Sequence, residues 1–130
     1  MSQTFALLVT GPAFGSEHSL RALKFAQAVI DEGHTILGVF FYQDGVLNAN
    51  QLISPATDEL NLHIAWKLFA KKNNISLHIC VSAAQRRGIL DQNLSEQSGF
   101  TQFNSGESFA MSGLGQLGEL LLTATRVVQF

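Results

Sequence analysis

The sequence predicts an α/β protein with a mostly parallel five-stranded sheet and helices on both faces. Short apolar runs alternate along the chain with longer segments whose apolar residues recur at helical spacing. Several of the short runs are almost continuously apolar, which is typical of strands buried on both faces. Among doubly wound arrangements, the flavodoxin-like strand order 2-1-3-4-5 suits five strands, and it predicts a switch point between the first and third strands.

Five segments carry the strand pattern and four carry the helix pattern. The predicted strands are residues 5–10, 35–41, 75–81, 108–111 and 126–130. The predicted helices begin after an N-cap at Ser16 and end at Gly33, run from Thr57 or Asp58 to about Lys72, cover residues 82–88, and cover residues 114–123 after a cap at Ser112. Residues 43–55 are predicted to form a polar loop and residues 91–105 an irregular surface excursion. Together residues 1–130 are expected to form a single domain.

Composition restricts the class of protein. Of the 130 residues 46% are hydrophobic and only 14% are charged, against about 25% charged in an average soluble domain. So few charges predict that part of the surface is covered in an oligomer. A net charge of −2 argues against direct nucleic-acid binding. With one cysteine, no membrane-length apolar run and no charged signal-peptide start, the chain is expected to be cytoplasmic.

Cys80 is the only cysteine and the strongest candidate for chemistry. It is predicted at the carboxyl end of the third strand, before a helix that carries Arg86 and Arg87. A helix N-terminus and nearby guanidinium groups would favour the thiolate, the nucleophilic form of cysteine. The alternative is that Cys80 is a small buried hydrophobic residue, which is common for an unpaired cysteine.

The predicted switch point places the loop of residues 11–15 and Cys80 on opposite sides of one crevice. The loop, Gly-Pro-Ala-Phe-Gly, has two interpretations. It could cradle a phosphate, or it could be a tight turn that keeps backbone close to the cysteine. It lacks both the Walker ending and a complete G-x-G-x-x-G pattern, which favours the turn.

The remaining polar candidates are histidines and arginines. His18, His34, His63 and His78 have no metal-ligand spacing, so no metal site is expected. His78 precedes Cys80 by two residues and shares its strand face, so it either tunes the thiol or is a packed histidine. The two arginines either favour the thiolate, bind an acidic partner or remain solvated at a helix end.

Six segments resemble the TusD/DsrE family of sulfur-relay proteins, and its TusD branch in particular. They are FFYQDGV (40–46), NANQL (48–52), SPA (54–56), CVSAAQRRGI (80–89), SGLGQL (112–117) and RVVQF (126–130). The cysteine block followed by Arg-Arg-Gly is the most specific part. The resemblance spans nearly the whole chain, although residues 92–108 match poorly.

The resemblance implies a sulfurtransferase that carries sulfur as a persulfide on Cys80, without cofactor or metal. It implies assembly with TusB-like and TusC-like subunits as a dimer of heterotrimers. Sulfur would come from a TusA-like donor and pass to a TusE-like acceptor for 2-thiolation of a tRNA wobble uridine. The DsrE branch performs the same chemistry in sulfur oxidation, and this assignment remains an alternative.

Two other classes of function remain open from the residues alone. One is a thiol redox enzyme with a single catalytic cysteine, which would require an external thiol reductant. The other is a flavodoxin-type nucleotide-binding module in which Cys80 has no covalent role. The first loop offers few of the Ser and Thr donors that a phosphate-binding loop would supply, which counts against the second class.

Overall fold

The computed structural model describes residues 2–130 and contains one five-stranded sheet. The strands are β1 (Thr4–Val9), β2 (Thr35–Phe41), β3 (Leu77–Cys80), β4 (Phe109–Ser112) and β5 (Arg126–Gln129). The helices are α1 (His18–Asp31), α2 (Leu62–Asn73), α3 (Val81–Arg86), α4 (Gln92–Gln97) and α5 (Leu114–Thr123), with a 3₁₀ helix over Gln43–Ala49. Every pair of neighbouring strands is parallel, so the predicted α/β class is confirmed.

The strand order is β4-β3-β2-β1-β5, and the predicted order 2-1-3-4-5 is wrong. The chain moves outward from β1 to β4 and then returns through α5 to the other side of β1. Backbone pairing of Leu7 with Val128, and bonds from the Thr125 side chain to Gln3 and Thr4, hold β5 there. The order in which strands are added to the sheet therefore changes direction at β1, and the switch point lies between β1 and β5. Because β2 separates β1 from β3, residues 11–15 and Cys80 do not face each other across one crevice.

Helices α1 and α2 cover one face of the sheet, which we call the closed face. Trp66 of α2 is fully buried and meets Phe41 of β2 edge-on, with ring centroids 5.1 Å apart. Phe41 in turn lies 5.5 Å from Phe109 of β4. The small residues Ala22 and Ala26 let α1 approach the strands closely, and both are fully buried. These contacts form the main hydrophobic core.

Helix α5 lies alone on the other face, which we call the open face. A right-handed connection that runs back across the sheet has to pass over the opposite side from α1 and α2. Leu120 of α5 packs on Gly38 of β2, where a Cβ atom would lie only 3.1 Å from the Leu120 side chain. No residue of α5 is fully buried. Both faces carry helices as predicted, but the open face is only partly covered.

Several element boundaries differ from the sequence predictions. The N-cap residue of α1 is Glu17 and not Ser16. The Ser16 hydroxyl still accepts a hydrogen bond from the N–H of His18, the first residue of the helix. Helix α2 begins later than predicted because the Asn61 side chain, and neither Thr57 nor Asp58, accepts from the Ile64 N–H. Ser112 ends β4, so that Gly113 is the N-cap residue of α5.

Candidate functional site

Cys80 occupies the predicted position at the carboxyl end of β3. It is the last residue of that strand and the N-cap residue of α3, with extended backbone angles (φ −64°, ψ 118°). The first-turn N–H groups of α3, which have no partner within the helix, therefore begin beside it. The residue is only 4% exposed. The thiol is therefore shielded from solvent in the isolated chain.

Two polar residues of β3 and β4, His78 and Ser112, share the sheet face of Cys80. Cys80 pairs in register with Ser112, so the two residues are adjacent across strands about 4.8 Å apart. Ser112 Oγ lies 3.0 Å from His78 Nδ1. The His78 ring stacks on Phe40, with centroids 6.4 Å apart, and burial lowers its pKa. The geometry thus joins His78 to Ser112 and sets Ser112 beside the cysteine.

The arginines lie at the far end of α3 from the thiol. Arg86 is six positions after Cys80, which corresponds to about 9 Å along a helix. Arg87 donates from Nε to Asp44 Oδ1 at 2.8 Å and from a terminal nitrogen to the Ala83 carbonyl at 3.0 Å. These bonds tie α3 to the 3₁₀ helix. The structure therefore assigns Arg87 a structural contact and leaves Arg86 exposed, and it does not place either beside Cys80.

The 3₁₀ helix beside β3 and α3 is held by a buried polar network that the sequence analysis missed. Asn48 accepts from the Ser19 hydroxyl at 2.7 Å and donates to the carbonyls of Gly11 and Gly45. Trp66 Nε1 donates to the same serine at 3.1 Å. A Cβ atom at Gly45 would collide with the Val9 carbonyl, so only glycine fits there. Residues 43–49 thus form a 3₁₀ helix in which Gly45, Val46, Asn48 and Ala49 are buried, instead of the predicted polar loop.

His63 attaches α2 to this 3₁₀ helix. Its Nδ1–H donates to the Asn48 carbonyl at 2.9 Å, and its ring stacks on Phe109 with centroids 5.2 Å apart. Burial is the main cause that lowers the pKa of His63, nearby Lys67 lowers it further, and the bond to Asn48 opposes both. The ring is therefore neutral near pH 7. The sequence did not indicate this role, because His63 is a single histidine among the apolar residues of α2.

The remaining candidates do not converge on Cys80. Residues 11–15 follow β1 near the switch between β1 and β5, where Thr10, His18, Arg21, Gln129 and Phe130 line an open cavity. Within residues 2–130, no group of three or more His, Cys, Asp or Glu side chains could hold a metal ion. In the same range, no helix is both long and apolar enough to cross a membrane.

Comparisons with known proteins agree with this architecture. The model of the DsrE/DsrF-like family matches residues 3–130. The chain is 48% identical to "Sulfurtransferase TusD" of Proteus mirabilis (strain HI4320), with all of both chains covered. It is 50% identical to "Sulfurtransferase TusD" of Klebsiella pneumoniae (strain 342), covering 97% of this chain and 98% of that one.

A solved structure supports the fold independently of close sequence similarity. The ychN protein of E. coli superposes with a TM-score of 0.78 at 18% identity, covering 98% of this chain and 99% of that one. At this identity the likeness concerns the fold alone. The family match over residues 3–130 and the end-to-end identity to sulfurtransferases show what kind of protein this is. The chain belongs to the DsrE/DsrF-like family and is a sulfurtransferase.

Proposed function

We propose that Cys80 carries sulfur as a persulfide between a donor protein and an acceptor protein. The observation that carries this proposal is that a chain of a sulfurtransferase family contains one cysteine, at the carboxyl end of a parallel strand. A persulfide requires a thiol, and Cys80 is the only one in these 130 residues. Cys80 lies at the edge of the sheet outside which open α/β sheets bind ligands, although the switch point itself is between β1 and β5.

The chemistry consists of two thiol exchanges. The Cys80 thiolate attacks the outer sulfur of the donor's persulfide, the donor's S–S bond breaks, and the donor leaves as a thiolate. The outer sulfur is then bonded to Cys80 Sγ, and no net oxidation or reduction has occurred. A thiolate of the acceptor attacks that sulfur in the second step and releases Cys80 as a thiolate. The chain has no second cysteine that could intercept the persulfide and release sulfide.

The resemblance of residues 40–56 and 80–89 to the TusD branch supports a more specific role. We propose that a TusA-like protein is the donor and that a TusE-like protein is the acceptor, in a cytoplasmic relay that ends in 2-thiolation of a tRNA wobble uridine. The net charge of −2 fits a subunit that contacts proteins and not the tRNA itself. The DsrE-type alternative uses the same two exchanges with a sulfur-oxidation donor.

The apolar surface of the open face supports assembly with other chains. We call the exposed residues Leu114, Leu121, Leu122 and Val127 the α5 surface; Leu122 is 90% exposed. Apolar side chains grouped in this way commonly mark interaction sites. We propose that TusB-like and TusC-like subunits cover the α5 surface in a dimer of heterotrimers. Such an assembly would also explain why the chain has so few charges.

Mass spectrometry of Cys80 after sulfur loading tests the central proposal. The protein is incubated with a cysteine desulfurase, cysteine and a TusA-like donor, and its mass is measured before and after a reductant is added. We expect one added sulfur on Cys80 that the reductant removes. The Cys80→Ser variant should take up none, whereas Ser82→Ala, which removes an exposed hydroxyl two residues away, should load like the wild type.

Circular dichroism of the Cys80→Ser variant serves as the folding control. A folded Cys80→Ser variant that still delivers sulfur to the TusE-like acceptor would show that the proposed role is wrong. Replacing the TusA-like donor by a sulfur-oxidation donor separates the two branches, because only one of them should load Cys80 at a useful rate.

A further inference from the structure

Three polar residues, His78, Cys80 and Ser112, share the open face near the carboxyl ends of β3 and β4. His78 and Cys80 are two residues apart on β3, so strand alternation directs them to the same face. Ser112 is the register partner of Cys80 on the neighbouring parallel strand. Its hydroxyl lies 3.0 Å from His78 Nδ1, although the two residues are 34 positions apart in the chain. Ser112 is buried, as is Cys80.

The hydrogen-bond geometry of Ser112 defines what its proton can do. A hydroxyl has one proton to donate and two lone pairs to accept with. Ser112 Oγ lies within hydrogen-bond distance of two groups, the Ala110 carbonyl at 3.2 Å and His78 Nδ1 at 3.0 Å. With the hydroxyl proton on the carbonyl, His78 Nδ1–H is the donor to Oγ. The bond to Ala110 is long, and its acceptor is neutral. A neighbouring thiolate is a stronger acceptor, since hydrogen bonds to ionised groups are shorter and stronger.

We infer that Ser112 is a positioning residue for the Cys80 sulfur, donating its hydroxyl proton to the thiolate while His78 holds the hydroxyl oxygen in place. This inference rests on the proposed role of Cys80 as the sulfur carrier. In the structure the hydroxyl contacts His78 and the Ala110 carbonyl, so it would have to rotate toward its register partner Cys80 to donate to the thiolate. A hydrogen bond in that rotamer would stabilise the attacking form and fix the direction of the sulfur. The same hydroxyl can turn back to the Ala110 carbonyl when the cysteine is a neutral thiol, so that no buried donor is left unpaired.

The surroundings of His78 support a neutral, donating ring. Phe40 stacks on it from β2, and a cavity between α5 and the sheet is lined by His78, Leu37, Leu120, Gln116, Glu119 and Thr123. Glu119 of α5 is the titratable side chain that lines this cavity with His78. From β4 only the side chains of Ala110 and Ser112 stand in register with residues 78 and 80. Burial lowers the pKa of His78, which keeps one ring nitrogen free of a proton near pH 7.

The pH dependence of Cys80 alkylation by iodoacetamide tests the inference separately from sulfur transfer. The alkylation rate of the wild type should rise with pH around a midpoint that reports the thiol. Ser112→Ala should raise that midpoint by about 1 pH unit, because it removes a hydrogen bond to the charged form. His78→Leu should raise it in the same direction. His78→Asn, whose side-chain N–H can replace Nδ1–H, should restore the wild-type midpoint.

Ser76→Ala is the matched control, since Ser76 is exposed and lies just before the other end of β3. Circular dichroism shows that each variant is folded. An Ser112→Ala midpoint equal to that of the wild type and of Ser76→Ala overturns the inference, as does a His78→Asn midpoint as high as that of His78→Leu. Sulfur loading of the same proteins distinguishes failure of the persulfide role from failure of the Ser112 inference. If the wild type does not load sulfur on Cys80, the persulfide role is refuted, whatever the alkylation midpoints are.

Discussion

The closed face and the open face of the sheet differ in how fully helices cover them. On the closed face α1 and α2 bury a continuous layer that includes Trp66, Phe69 and Ala26. On the open face a single helix of ten residues crosses the sheet and buries none of them fully. Side chains alternate between the faces along each strand, so Ile79 points into the closed core while its neighbours His78 and Cys80 belong to the open face.

With Cys80 as the proposed sulfur carrier, this difference assigns stability and function to opposite faces of one short strand. The closed face excludes water and provides most of the apolar burial that stabilises the fold. The open face contains Cys80, the Ser112–His78 pair and the α5 surface. Cys80, the proposed sulfur carrier, is only 4% exposed, but it lies on the face that a single helix covers and not in the layer beneath α1 and α2. Substitutions on the two faces should therefore affect different measurements.

Truncation of Trp66 on the closed face should have the largest effect on stability. Trp66→Ala should lower the free energy of unfolding by about 3–5 kcal/mol, because it leaves a cavity against Phe41. Leu122→Ala on the open face should change it by less than about 0.5 kcal/mol. Urea unfolding followed by circular dichroism measures both. If Trp66→Ala does not fold, Trp66→Phe provides the comparison, and equal effects of the Trp66 and Leu122 variants would contradict the assignment of the core.

Acidification should have an intermediate effect, through one histidine on each face. Burial lowers the folded-state pKa of both His63 and His78 below the ordinary value of 6.5. The unfolded chain therefore binds more protons at acidic pH, so stability is fully present above about pH 6.5 and declines as the pH falls toward the lowered values. Urea midpoints between about pH 5 and 8 measure this decline.

Replacing each histidine by asparagine shows how much of the loss of stability at acidic pH comes from His63 and how much from His78. His63→Asn retains an N–H donor for the Asn48 carbonyl but cannot titrate, so it should flatten part of the pH dependence. His78→Asn should flatten another part, and we expect the smaller change there because His78 is less buried than His63. A wild-type slope in the His63→Asn variant would show that this histidine does not produce the acid sensitivity.

Charges placed on the α5 surface should have the smallest effect on folding and a large effect on assembly. Leu121→Lys with Leu122→Lys should leave the unfolding free energy nearly unchanged, since both side chains are exposed. Light scattering should show that these changes reduce association with TusB-like and TusC-like partners. Ile64→Lys with Leu68→Lys, at exposed apolar positions of α2, is the matched control. Loss of assembly in the control, with retention in the α5 variant, would move the proposed interface to α2.

Much of the local structure could be predicted from the sequence. Strand β2 has the predicted boundaries, and Cys80 ends β3 as expected, because apolar runs and turn residues act within a few positions. The partly buried 3₁₀ helix of residues 43–49 was predicted as a polar loop. The sequence does not show that the Asn48 side chain bonds to Ser19 and to two backbone carbonyls. Similarly, the sequence does not show that Arg87 pairs with Asp44, a residue 43 positions away.

The alternation of strands and helices, the single cysteine at a strand end and the family can all be read from the sequence. The pairing of β5 with β1, the burial of the thiol, and the position of Ser112 in register with Cys80 and bonded to His78 emerge only from the folded chain. The physical reason is the range of the interactions. Periodicity and capping are encoded within one element, whereas strand order and register depend on pairings between distant segments, which several alternative arrangements of the same elements could satisfy.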